Sequence, residues 1–155
     1  MKTFDHLSVI GLREWVNLPD LGIIGLRAKI DTGASTSSLH ASDIQTFERD
    51  GEQWVRFTAY IGTQVQRRHR CEARLVTVKS IKSSNGLAQS RYVIRTSLVL
   101  GDRLWPVEFT LASRKTMRYR MLLGSKALID GQLVVNPALA YVQDKPTLTD
   151  LSGAQ

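Results

Sequence analysis

Asp31-Thr32-Gly33 is the part of this sequence best suited to chemistry. An apolar stretch, Gly22 to Ile30, runs straight into the aspartate, and the small residues Ala34, Ser35 and Thr36 follow. A carboxylate at the end of a rigid strand projects in a fixed direction. The glycine lets another backbone segment come close. The Thr32 hydroxyl can tie the loop to its surroundings. These are the needs of a carboxylate that activates water against an amide carbonyl. The tripeptide alone is weak evidence, because three common residues often coincide, and a strand followed by a polar turn reads the same way.

A downstream element strengthens the reading. Met121-Leu122-Leu123-Gly124-Ser125-Lys126-Ala127-Leu128 reads as a short apolar strand, a glycine and a short helix, about 90 residues after Asp31. In an aspartic peptidase such an element crosses beside the active-site loop. Hydrolysis of this kind needs two carboxylates sharing a proton, one as base and one as acid. The chain has a single Asp-Thr-Gly: Asp130-Gly131 lacks the middle residue, and Asp150-Leu151-Ser152-Gly153 carries an extra one. A two-fold homodimer that joins Asp31 from two chains is therefore expected. Ala34 supplies no hydroxyl to share the aspartate's charge, which favours activity at less acidic pH. Ala34 and Ser35, next along the loop, are candidate substrate contacts.

The elements that must hold this loop read mostly as strands. Val55, Phe57, Ala59 and Ile61 alternate with polar residues, as do Trp105, Val107, Phe109 and Leu111. Tyr92, Ile94, Leu98 and Leu100 repeat the period of two, with Thr96 as the exception. Pro106 places its strand at an edge or a bulge. Asp50-Gly51, Asn85-Gly86 and Gly101-Asp102 are hairpin turns. The best helix candidate is Ser125 to Ile129, between Gly124 and Gly131. The sum is an all-β domain, a barrel or sandwich with one short helix.

Composition bounds the rest. A chain of 155 residues, 43% hydrophobic and 23% charged, fits one folded domain and excludes disorder over most of its length. The expected domain is 1–142, with 143–155 as a flexible tail containing Pro146 and Gly153. Cys71 is the single cysteine, so no intramolecular disulfide forms and a reducing compartment is suited. Asp5 and His6 stand where a signal peptide needs an apolar core, and no apolar run approaches the roughly 20 residues that span a bilayer. A cytoplasmic protein without membrane contact is expected.

The net charge of +7 calls for an anionic partner. Arg67, Arg68, Arg70 and Arg74 form one cluster; Arg114, Lys115, Arg118 and Arg120 form another. Such runs are usually solvated faces. A nucleic-acid patch is one functional reading, but Arg67-Arg68-His69-Arg70 has no interleaved aromatics. Recognition of acidic peptides is the other, because arginine pairs well with carboxylates. The polar hairpin from Ser83 to Gln89, with Asn85 and Gly86 at its turn, is a candidate flap over the substrate. Lys29 and Arg91 then become candidate substrate contacts. No metal or cofactor is expected. The histidines His6, His40 and His69 form no His-Glu-x-x-His, and His40 and His69 read as structural or surface residues. A metal site would have to combine His40, Asp31 and a distant residue. Gly124-Ser125-Lys126 is not a phosphate loop.

The segment Ala28 to Ala41 resembles the signature of the bacterial retropepsin-like proteins known as ATP-dependent zinc proteases. Arg114 to Gly124 matches as well, as does Ser83-Ser84-Asn85-Gly86 with Arg91-Tyr92-Val93-Ile94. The likeness runs from about Val9 to Pro137. One departure is visible: the family usually has Arg after Leu123-Gly124, and this chain has Ser125. The resemblance implies a retropepsin-like closed barrel lobe. It also implies a functional link to ATP-grasp ligases that add glutamate to ribosomal protein tails, with glutamate trimming or peptide cleavage as the role. The reading is then a dimeric aspartic peptidase for acidic tails, with Asp31 catalytic and Thr32 and Gly33 shaping its loop. A non-catalytic peptide-binding lobe is the first alternative, and an RNA- or ribosome-associated module the second.

Overall fold

A computed structural model describes residues 4–61, 67–82, 86–114 and 118–145. Ten strands and one α-helix appear in chain order: β1 Ser8–Ile10, β2 Arg13–Leu18, β3 Ile23–Ile30, β4 Ser37–Arg49, β5 Glu52–Tyr60, β6 Arg68–Lys82, β7 Ala88–Leu100, β8 Arg103–Ala112, β9 Met121–Leu123, α1 Ser125–Asp130 and β10 Leu133–Val135. A 3-10 turn, Pro19–Leu21, links β2 to β3. The all-β expectation holds, with the one short helix where the sequence put it.

Strands β4 to β8 follow each other as antiparallel neighbours, and β8 returns to pair in parallel with the start of β4 through Ser37–His40 and Phe109–Ala112. The ring closes where these residues pair, which leaves no free edge along that stretch. The predicted alternations supply its interior: Val55, Phe57, Ile94, Leu98 and Phe109 are fully buried. Thr96 takes its turn on that same inward face, buried, with its hydroxyl unpartnered among the described residues. Pro106 pairs with Ser97 of β7, and β8 meets β4 only from Phe109 onward. Pro106 therefore sits where β8 is still an edge, as a residue without an N–H requires.

The turns behave as their residues demand. Asp50 and Gly51 both have positive φ, 53° and 77°, and join β4 to β5 in a two-residue hairpin. The basic run at 68–74 forms the start of β6. Its odd residues Cys71 and Ala73 are buried, and its even ones face outward.

Glu14 of β2 is fully buried. Its carboxylate accepts the backbone N–H groups of Gly11 at 2.7 Å, Val142 at 2.9 Å and Gln143 at 3.1 Å. Residues 142 and 143, on either side of the expected boundary, thus bond to the same carboxylate. Gln143 also donates through Nε2 to the Val9 carbonyl, and the Lys145 ammonium lies 4.4 Å from the Trp15 ring centre.

Candidate active site

Strand β3 carries Leu26, Ala28 and Ile30 inward and Arg27 and Lys29 outward. Its last hydrogen bonds run from Ile30 N–H to the Leu12 carbonyl and from Asp31 N–H to the Leu123 carbonyl. The aspartate therefore leaves the sheet from a fixed point. Gly33 N–H donates to Asp31 Oδ1 at 2.9 Å, and Ala34 N–H to the Asp31 carbonyl at 3.3 Å. A Cβ on Gly33 would lie 3.3 Å from that carboxylate oxygen, so glycine allows the amide its approach.

Strand β9 lies between β3 and β4, parallel to the first and antiparallel to the second. The loop that joins β3 to β4 must therefore arch over the end of β9. Gly124 sits under that arch. A Cβ there would come within 2.5 Å of the Thr36 carbonyl oxygen and 2.7 Å of that of Ala34. The Ser37 hydroxyl accepts from Gly124 N–H at 3.0 Å. The N–H groups of Ser125 and Lys126 donate to the carbonyls of Ala34 and Ser35. Backbone, not side chain, makes these two bonds, so the hold on the loop does not depend on the residue at 125. Thr32 is exposed, and within the chain it is Ser37 whose hydroxyl ties the loop.

Two clefts border these elements. One, of about 310 Å³, includes Thr36, Ser37 and Lys126 together with Lys79, Arg95 and Glu108 of the barrel wall. The other, of about 340 Å³, runs along the outer face of β3 and includes Lys29, Ile30, Arg13, Arg118 and Tyr119. Among the predicted contacts, Lys29 lines the second cleft, while Ala34 and Ser35 brace the arch through their carbonyls. Gly86 has φ +83° and open space around it, at the turn joining the long strands β6 and β7. Asn85 lies outside the described residues. Arg91 pairs with Lys79 across β6 and β7 and lines neither of these clefts. The sequence reading missed Arg13 and Tyr119. The signal for Arg13 was faint: it alternates with Glu14, the residue that turns inward.

The two basic clusters differ in what they touch. In and around the first, Arg70 donates to the Asp43 carbonyl and the Thr58 hydroxyl, and Arg74 pairs with Glu52 at 2.7 Å. Glu72, between them, takes Arg49 at 2.8 Å and Arg56 at 3.5 Å. These are contacts among the consecutive strands β4, β5 and β6. The described members of the second cluster, Arg114, Arg118 and Arg120, lie between β8 and β9 in the chain. Arg114 donates to the Tyr119 carbonyl and the Ser38 hydroxyl, and burial pushes its guanidinium pKa down. Arg118 stacks on Tyr119 and Arg120 on Tyr60. Burial raises the Tyr119 hydroxyl, but the hydrogen bond and charge of Arg13, with the charge of Arg118, bring it below the ordinary tyrosine range.

His40 is buried. Its Nδ1 accepts the Arg114 N–H at 2.7 Å, and its ring packs on Tyr60. His69 donates from Nε2 to the Leu21 carbonyl at 2.7 Å. Cys71 is buried, and desolvation pushes its thiol up to about 12. These donors are spent on the fold and do not fit zinc. Among the described residues no group of three or more His, Cys, Asp or Glu is placed to hold a metal ion.

A family model described as "RimB-like: Retropepsin-like aspartic endopeptidase RimB" matches residues 9–146. The chain belongs to this RimB-like family. The family's description carries the retropepsin-like part of the resemblance and says nothing of zinc or ATP. The RimB-like chain is also 45% identical over 134 residues to a Desulfotalea psychrophila protein named "Probable alpha-L-glutamate ligase". A protein of the same name from Shewanella pealeana is 44% identical over 131 residues. These matches take in 85% and 84% of the chain but span only 28% and 29% of the relatives' own length. A crystal structure of a Legionella pneumophila protein of unknown function superposes with a TM-score of 0.75 at 31% identity, over 88% of this chain and 98% of that one. No helix among the described residues is long and apolar enough to cross a membrane.

Proposed function

We propose that this chain is an aspartic-type peptidase that hydrolyses acidic peptide or protein tails, glutamate-rich ones in particular, with Asp31 from two copies forming the catalytic pair. The observation that carries the reading is the Asp31 loop, a carboxylate fixed at a strand end, bonded to Gly33 N–H and arched over Gly124. One ionised Asp31 takes a proton from water as the oxygen attacks the amide carbon. The other, protonated, donates to the carbonyl oxygen. Collapse of the resulting diol, with a proton passed to the nitrogen, breaks the C–N bond. Thr32 and Gly33 are exposed at the loop tip, leaving room for a second chain there.

Relatives named as glutamate ligases support the substrate class, since domains joined on one polypeptide commonly serve one substrate. Incubating the chain with a peptide ending in several glutamates and weighing the products is the direct test. Shortened peptides are expected, and Asp31→Asn should abolish them while binding survives. The ligase-named relatives also favour a second reading, a lobe that only holds the acidic tail. Binding without cleavage by the unaltered chain would decide for it.

A further inference from the structure

We infer that the cleft along β3 is a subsite for one carboxylate side chain next to the scissile bond, and that Arg13, Lys29 and Arg118 determine this specificity; the inference rests on the peptidase reading of Asp31. Lys29 and Ile30, which line the cleft, are the two residues immediately before Asp31. The cleft therefore reaches the end of β3, the point from which Asp31 leaves the sheet. Three cations line this cleft and no carboxylate does. The other cleft differs, for its lining mixes Lys79, Arg95 and Lys126 with Glu108 and Asp130. Among the described residues none of Arg13, Lys29 and Arg118 forms an ion pair, whereas Arg49, Arg56 and Arg74 all do.

Tyr119 organises two of the three. Its hydroxyl accepts from Arg13 Nη1 at 3.5 Å, and its ring lies 5.8 Å below the Arg118 guanidinium. Arg13 is held a second time over the Tyr141 ring, at 5.7 Å. Lys29 stands opposite Arg13 across the β2–β3 ladder. Like charges set side by side and braced by aromatic rings are preorganised for an anion, which gains more than it would from free side chains. Pro137 to Ala140 supply an apolar opposite wall that fits the methylenes of a glutamate.

Fluorescence anisotropy with labelled tetraglutamate and tetraglutamine peptides tests this without requiring turnover. The unaltered chain should bind tetraglutamate about tenfold tighter than tetraglutamine. Lys29→Met and Arg118→Gln should each remove most of that preference. Arg74→Gln, an equal loss of charge elsewhere, should keep it. Tyr119→Phe should weaken the preference by freeing Arg13, with the melting temperature showing that the fold persists. Equal affinity for the two peptides, or equal effects of Arg74→Gln and Lys29→Met, overturns the subsite. Cleavage is weighed on the same samples. A glutamate preference without cleavage keeps the subsite and removes the peptidase. Equal cleavage of both peptides removes the subsite and keeps the peptidase.

Discussion

Glu14 shows how much one buried side chain can hold. It satisfies three backbone N–H groups from two segments more than 120 residues apart in sequence. Glu14→Ala leaves those donors without an acceptor and should cost about 3 kcal/mol, read as a shift in urea midpoint. Glu14→Gln should cost less, since one amide oxygen still accepts. Cys71 makes the opposite case. With its thiol raised to about 12, it stays protonated near neutral pH and should resist thiol reagents until the protein unfolds. Its folded pKa lies above the ordinary 9.0, so its stabilising contribution is full below about pH 9 and is lost as pH rises toward 12. Cys71→Ala should flatten that alkaline loss.

At the scale of elements, the insertion of β9 between β3 and β4 is what makes the site. Those two strands are neighbours in sequence, and a third strand from far downstream separates them. Gly124→Ala would drive a methyl into the carbonyls of Ala34 and Thr36. It should cost about 2 kcal/mol or more and abolish any activity that depends on Asp31, measured by thermal melting and peptide assay. Thr96 offers a gain instead. Its buried hydroxyl has no partner among the described residues, so Thr96→Val should raise stability by about 1 kcal/mol in the same melts. Much of this was legible beforehand. The alternations at 55–61 and 105–111, the Asp50-Gly51 turn and α1 all follow from period and turn chemistry. The role of β6 was not, because a basic run looks alike in a loop and on the outward face of a strand.

For the whole molecule, the distribution of charge matters more than its sum of +7. Arginines on β4, β5 and β6 pair with Glu52 and Glu72, while Arg13, Lys29 and Arg118 line one cleft together. The proposed pairing of two Asp31 residues belongs to this scale too. Light scattering on the eluting peak should give twice the 17.4 kDa of one chain. A strict monomer that still cleaves peptide would remove the shared pair.

Taken alone, the sequence determined the strand-rich class, the Asp50-Gly51 hairpin and the helix, and it singled out Asp31 as a candidate, because each rests on neighbours a few residues apart. Periodicity and turn propensity are local, and a local motif carries its own chemistry. Only the tertiary structure decided which charges stand together. Arg13 and Tyr119 are 106 residues apart and meet because β9 brings the preceding loop back to β3. Glu14 is buried because Gly11 and the segment at Val142 and Gln143 close over it from far apart in the chain. Burial and pairing of charge depend on what the fold brings alongside, and a single chain's pattern does not contain that information.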